Sequence, residues 1–177
     1  MATIIGVEGA DGVALAADRR HVEGDVVTNE RVERIHEYGR ALAAAVGDPG
    51  DVAAFHRTLD AAVDQYRADH DGWPTIDPFA EMAARVASPA GVEVLVGART
   101  ESGTAELRTV DADGAVLHDT TVARGTGTQP ALGALEALDS NASIEEVAET
   151  LHDVIASVNE RDPESGSDGD VATLTTD

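Results

Sequence analysis

Thr3-Ile4-Ile5-Gly6-Val7-Glu8, then Ala10-Asp11-Gly12, then Val13-Ala14-Leu15-Ala16-Ala17-Asp18: this opening decides the fold. The first run is β-branched and apolar. Asp-Gly is a strong hairpin-turn signal, and the second run is apolar up to its closing acid. The spacing predicts a β-hairpin that ends at Asp18. A weaker extended pair is expected next, over Asp25–Thr28 and Arg34–Glu37. Arg40–Val46 reads as a small-residue strand closed by Gly47.

Beyond Gly47 the period changes. Val52, Phe55, Leu59, Ala62, Val63 and Tyr66 fall on one helical stripe between Gly50 and Ala68. Asp71-Gly72-Trp73-Pro74 breaks it, and Trp73 is expected to anchor the first two helices. A second helix is predicted over Asp77–Ala87, ending before Pro89. Four short strands follow: Val92–Ala98, Ala105–Val110, Ala115–Leu117 and Val122–Arg124. Helices are predicted over Gln129–Leu138 and from Ser143, where Ser143-Ile144-Glu145-Glu146 is a capping box. After a Gly166–Gly169 loop, Val171–Thr175 reads as a last strand. Strands, two helices, strands, two helices, strand is a segregated order. It predicts an α+β fold with two sheets sandwiched between two helix pairs.

The chain has 177 residues, room for one domain with a sizeable core. One domain over 1–177 is expected. No apolar run approaches a membrane span, and Met1–Val7 lacks the pattern of a secretory signal, so a cytoplasmic location is expected. There is no cysteine, which excludes disulfides, thiol catalysis and cysteine-based zinc sites. The net charge is −22, and all 12 basic residues are arginine. Nucleic acid and anionic membranes are therefore poor partners. The acids form either a surface for a basic partner or the solvated shell of a halophile's protein. Their even spread along the chain favours the shell. The six histidines show no ligand spacing, and neither a metal nor a cofactor is expected. Gly125-Thr126-Gly127 lacks the Walker pattern and reads as a turn before a helix.

Six fragments, in order, carry a resemblance. They are Thr3-Ile4-Ile5-Gly6-Val7 with Asp11-Gly12-Val13; Ala16-Ala17-Asp18-Arg19-Arg20; Gly24 with Arg34-Ile35; Ala45-Val46-Gly47-Asp48-Pro49-Gly50-Asp51; Gly125-Thr126-Gly127; and Arg161-Asp162 with Ser165-Gly166 and Asp170-Val171-Ala172. Together they resemble β-type subunits of the 20S proteasome, of the N-terminal-nucleophile hydrolase superfamily, in an archaeal and halophilic form. The match covers nearly the whole chain, with one apparent single-residue deletion near Gly39. The bacterial ATP-dependent ring protease of that superfamily is a more distant match. The resemblance implies a four-layer αββα sandwich and assembly into rings.

It also implies a chemistry. Active members use the hydroxyl of an N-terminal threonine, with its own α-amine as base. A carboxylate follows sixteen residues on, and a lysine sixteen beyond that. Here Asp18 and Arg34 hold the two later positions, and the nucleophile position falls on Ala2. Alanine has no nucleophilic oxygen. Arginine keeps the charge but is larger, planar and never neutral. Thr3 is one residue out of register, so its side chain is expected to point away from Asp18 and Arg34. The resemblance assigns Gly47 to the oxyanion hole, and Asp162, Ser165 and Thr126 to the frame that steadies the N-terminus. The active members' cleavable leader is not seen ahead of Ala2.

Plainer readings stand beside these. Asp18 and Arg34 are expected to form an ordinary ion pair, and Thr3 to be a strand residue. Asp162 and Ser165 fit site support and loop capping equally. Three functions compete. The leading one is a non-proteolytic β-like subunit in rings with itself or with active proteasome subunits, near unfolded polypeptide. The second is a threonine endopeptidase trimmed to Thr3. The third is a stand-alone protein binding a ligand in a vestigial cleft.

Overall fold

The computed structural model describes residues 2–177. The opening hairpin forms as the sequence predicts: β1 (Thr3–Gly9) and β2 (Gly12–Asp18) pair antiparallel, with Gly9 opposite Gly12. β10 (Thr121–Gly125) and β11 (Gly169–Thr175) flank them, giving the order β10-β1-β2-β11. The second sheet runs β5 (Ile35–Glu37), β6 (Ala41–Val46), β7 (Glu93–Arg99), β8 (Ala105–Val110) and β9 (Val116–Leu117).

The strands of the opening hairpin are apolar on both faces, and the structure uses both. Successive side chains alternate sides. Ile4, Val13, Leu15 and Ala17 face the second sheet and meet Leu42, Ala44, Leu95 and Leu107. Ile5, Val7, Ala14 and Ala16 face outward, under α3 (Thr128–Leu135) and α4 (Ile144–Asn159). On the far side, Ala43, Ala45, Val94 and Val96 of the second sheet carry α1 (Pro49–His70) and α2 (Ile76–Ala90). The result is helix, sheet, sheet, helix, the four layers expected from the element order. Each fully buried Val, Leu or Ile in these layers contributes about 1.5–3 kcal/mol.

Four expectations change. The extended segments near residues 25 and 35 do not pair with each other. β4 (Val26–Asn29) pairs with β3 (His21–Glu23), a strand too short and polar to signal itself, and β5 joins β6. α1 runs two residues past Ala68, to His70, and is closed by Asp71 in the left-handed region. α2 does not stop before Pro89 but runs through it to Ala90. Proline's missing N–H matters little in a last turn, where Gly91 and Val92 N–H groups cap the helix on Ala87 and Ser88 carbonyls. α3 ends at Leu135 rather than Leu138, because Leu138 N–H folds back onto the Leu135 carbonyl in a turn. The capping box at Ser143 forms in full with Glu146. Trp73 covers the turn at Gly39 and stacks under Arg67, 3.8 Å from guanidinium carbon to ring centre.

No helix among the described residues is long and apolar enough to cross a membrane. None of their His, Asp or Glu side chains cluster in a group of three or more able to hold a metal ion.

Candidate functional site

The layers bring five chain segments to one place: the start of β1, the end of β2, the residue before β5, the turn between β10 and α3, and the loop between α4 and β11. Asp18 closes β2 and is fully buried. Three backbone N–H groups point at its carboxylate. Thr3 donates to Oδ2 at 2.6 Å; Arg20 and Gly166 donate to Oδ1 at 2.8 and 3.1 Å. Burial pushes the Asp18 pKa up from its ordinary value, while these three donors and the charge of Arg34 hold it back.

The expected Asp18–Arg34 ion pair does not form as a direct contact. The Arg34 side chain donates from Nη2 to the Arg20 carbonyl at 3.1 Å, and its buried Nε and Nη1 meet no acceptor. Asp18 and Arg34 feel each other's charge without touching. The reason is geometric. The planar guanidinium is turned toward the Arg20 carbonyl, while Asp18 takes its three bonds from backbone N–H groups.

Thr3 presents two faces. Its N–H meets Asp18, but its hydroxyl lies on the other side of the strand, as alternation requires. There Oγ1 accepts the Gly127 N–H at 2.9 Å and lies 2.7 Å from Ser165 Oγ. The single O–H of Ser165 goes to Asp162 Oδ2 at 2.7 Å, so the Thr3 hydroxyl must donate to Ser165. Thr126 O–H also donates to Asp162 Oδ2, at 2.6 Å, and Glu164 N–H donates to Oδ1 at 3.1 Å. Thr3, Ser165, Asp162 and Thr126 thus form one chain of hydrogen bonds. Ala2 is 1% exposed and packs between the sheets on the same side as Ile4. Gly47 follows β6 and packs on Val92, outside this hydrogen-bonded chain. It lies two residues beyond Ala45, whose N–H holds the Arg34 carbonyl at 2.9 Å.

A cleft of about 670 Å³ opens beside these groups, lined by Arg19, Arg20, Arg31, Ile35, Gly166 and Asp170 among others. Arg19 forks onto the Asp170 carboxylate, and Arg20 reaches the Pro163 carbonyl and Glu30.

The family model described as "Proteasome subunit" matches residues 1–174. The chain belongs to the proteasome subunit family. It is 29% identical over 179 residues to the "Proteasome subunit beta" of Methanobrevibacter ruminantium, covering 99% of this chain and 86% of that protein. It is 30% identical to "Proteasome subunit beta 2" of Haloarcula marismortui, over 98% of this chain and 77% of that one. It is 28% identical to the "Proteasome subunit beta" of Halobacterium salinarum, over 99% of this chain and 74% of that one.

For a proteasome subunit of this sequence, the hydroxyl network predicts a stability effect. Thr3→Val keeps the shape but leaves the Gly127 N–H without its acceptor and Ser165 Oγ without its donor, both in a buried place. The expected cost is about 2 kcal/mol in denaturant unfolding, with the slope of the transition unchanged.

Sequence reasoning missed the backbone donors of Arg20, Gly127 and Gly166, because an N–H group leaves no mark in residue identity. It also missed His56. That ring is 2% exposed and braces Arg34 from behind: Nε2–H donates to the Arg34 carbonyl at 3.0 Å, and Nδ1 accepts from Tyr38 O–H at 2.6 Å. Its place on the stripe of α1, one residue past Phe55, was the available signal. Burial, with His36 stacked 3.8 Å away, pushes the His56 pKa down from 6.5 to about 3. Folded His56 therefore stays neutral where the unfolded chain takes up a proton. Stability from this group is complete above pH ~6.5 and is lost as pH falls toward ~3. Between pH 6 and 5 the free energy of unfolding should fall by about 1 kcal/mol. His56→Gln should flatten that slope in urea titrations at the two pH values.

Proposed function

We propose that this chain is a non-proteolytic β-type subunit of a ring-shaped, 20S-like assembly. It joins copies of itself or other proteasome subunits, works as one domain over residues 1–177, and sits in the cytoplasm of a salt-loving archaeon. Its surroundings include unfolded polypeptide delivered to the ring. The halophilic relatives support the salt-adapted reading of its −22 charge.

One observation carries the non-proteolytic reading. The Thr3 hydroxyl faces away from the Asp18 carboxylate and is held by Ser165 Oγ and the Gly127 N–H. The residue on the other side of the strand is Ala2, which has none. A nucleophile needs a free oxygen lone pair aimed into a reachable cleft, with a base beside it. Thr3 Oγ1 is buried, with its proton given to Ser165 and no base beside it, and Arg34 is held on a carbonyl rather than beside an oxygen that it could activate.

A second reading has a specific observation behind it. Thr3 N lies 2.6 Å from Asp18 Oδ2, so a chain trimmed to Thr3 would set a free α-amine on a carboxylate. That would be a threonine endopeptidase. Intact mass and N-terminal sequence of the native assembly in high salt, with fluorogenic peptide hydrolysis on the same sample, separate the two. A terminus at Ala2 without turnover is the expected result. A terminus at Thr3 with turnover that disappears in Thr3→Ala would overturn it.

A further inference from the structure

Four large apolar side chains are exposed among the described residues, and they come as two adjacent pairs. Val26 and Val27 are 62% and 46% exposed, and Val116 and Leu117 are 40% and 45% exposed. Apolar residues scattered singly on a surface are ordinary. Each pair here lies instead on a strand with an open edge, a place that soluble proteins usually protect. β4 pairs only with β3, and all four of its residues are exposed. β9 pairs only with β8. The two pairs belong to opposite sides of the subunit. β9 closes the five-stranded sheet at one edge, and β5 closes it at the other. The β3–β4 hairpin is rooted beside β5. Val32 N–H donates to the Arg19 carbonyl at 3.0 Å, and Ile35 of β5 lines the same cleft as Arg19, Arg20, Glu30 and Arg31.

We propose that Val26 and Val27 of one copy of this chain pack against Val116 and Leu117 of the next, forming the seam along which copies join head to tail. The inference rests on the ring-shaped assembly proposed above and names its contact. A ring closed by rotation joins unlike patches, one from each side of the subunit, whereas a two-fold dimer brings a patch onto itself. Two different apolar patches at opposite edges fit the ring. Charge fits as well. Arg31 at the foot of the hairpin and Asp113 ahead of β9 are exposed, and neither has an ion-pair partner among the described residues. Glu23 and Asp25 on the hairpin and Asp119 beside β9 oppose the contact, so the seam should need salt to screen them.

The chain has no cysteine, so introduced thiols report the seam alone. Val26→Cys or Val27→Cys is combined with Val116→Cys or Leu117→Cys, and each of the four double variants is treated in high salt with a short bis-maleimide. At least one should give a ladder of covalent multimers. The single variants should stay uncoupled, and a co-assembled mixture of the two singles should stop at dimers. A single variant that couples to itself would mean a two-fold contact and would overturn the proposal. No coupling in any pairing, in a protein that sediments as an assembly, would remove the seam and leave the ring. A chain that sediments as a monomer in high salt would remove both. Val27→Asp should also raise the protein concentration at half-assembly about tenfold or more, without lowering the Tm of the dissociated chain, because the side chain is exposed. An unchanged midpoint in both Val27→Asp and Leu117→Asp would overturn the proposal.

Discussion

Ala2→Thr combined with Arg34→Lys should make this chain an efficient peptidase. With Met1 removed, the double variant is expected to hydrolyse fluorogenic peptides about 10²-fold or more above the unmutated assembly. Much of the required frame is already in place. Asp18 is positioned by three N–H donors, and Asp162, Ser165 and Thr126 are locked together. Residue 2 points between the sheets, on the side away from the Thr3 hydroxyl. A threonine there offers an oxygen with no partner in the Ser165 network. Lysine at 34 removes two orphaned N–H groups, and its smaller head leaves room for that oxygen. Each single change should stay near background, because Ala2→Thr leaves the bulky guanidinium and Arg34→Lys leaves no nucleophile. Rate measurements on all four proteins, each with its N-terminus checked by mass, settle the matter. A correctly processed double variant without turnover would show that these two residues are not sufficient for hydrolysis.

Gly125→Ala is expected to be the most damaging small substitution in the fold. Gly125 sits at φ +104 directly opposite Thr3 in the β1–β10 ladder. A Cβ there would lie 1.9 Å from the Ala2 carbonyl oxygen. That neighbour is backbone, so nothing flexible can give way, and the positive φ adds strain of its own. β1 would have to lift away from β10, taking Thr3 and its bonds to Asp18 and Ser165 with it. The expected loss is about 4 kcal/mol. Gly133 in α3 is the control. A Cβ there meets nothing within 4 Å, so Gly133→Ala should gain about 0.5–1 kcal/mol. Equal losses from the two changes in parallel urea melts would refute the steric account.

Much of this architecture was legible in residue order. Asp11-Gly12 between two apolar runs specified the hairpin, and runs apolar on both faces implied a sheet buried from two sides. The Ser143 box marked the start of α4 to the residue. What escaped was local and cooperative. Strand β3 exists only because β4 folds against it, and α2 passes Pro89 because a left-handed Gly91 closes the turn beyond it. In the site, strand alternation was enough to say that Thr3 would turn its hydroxyl from Asp18. It could not say that backbone N–H groups would claim the carboxylate and leave Arg34 without it. Side-chain types announce charges, but not which peptide groups converge on them.

The burial of Ala2 and Thr3 has a bearing on timing. Both are under 2% exposed, and Thr3 is paired on both edges of its strand, with Gly125 across one and Asp18 bonded at its N–H. An exopeptidase must draw several residues of loose chain into its own cleft. The Ala2–Thr3 bond is beyond its reach once β1 has docked. Exopeptidase trimming to Thr3 would have to be finished before β1 docks. Such trimming would therefore compete with folding of the hairpin, whose adjacent strands make local, fast-forming contacts.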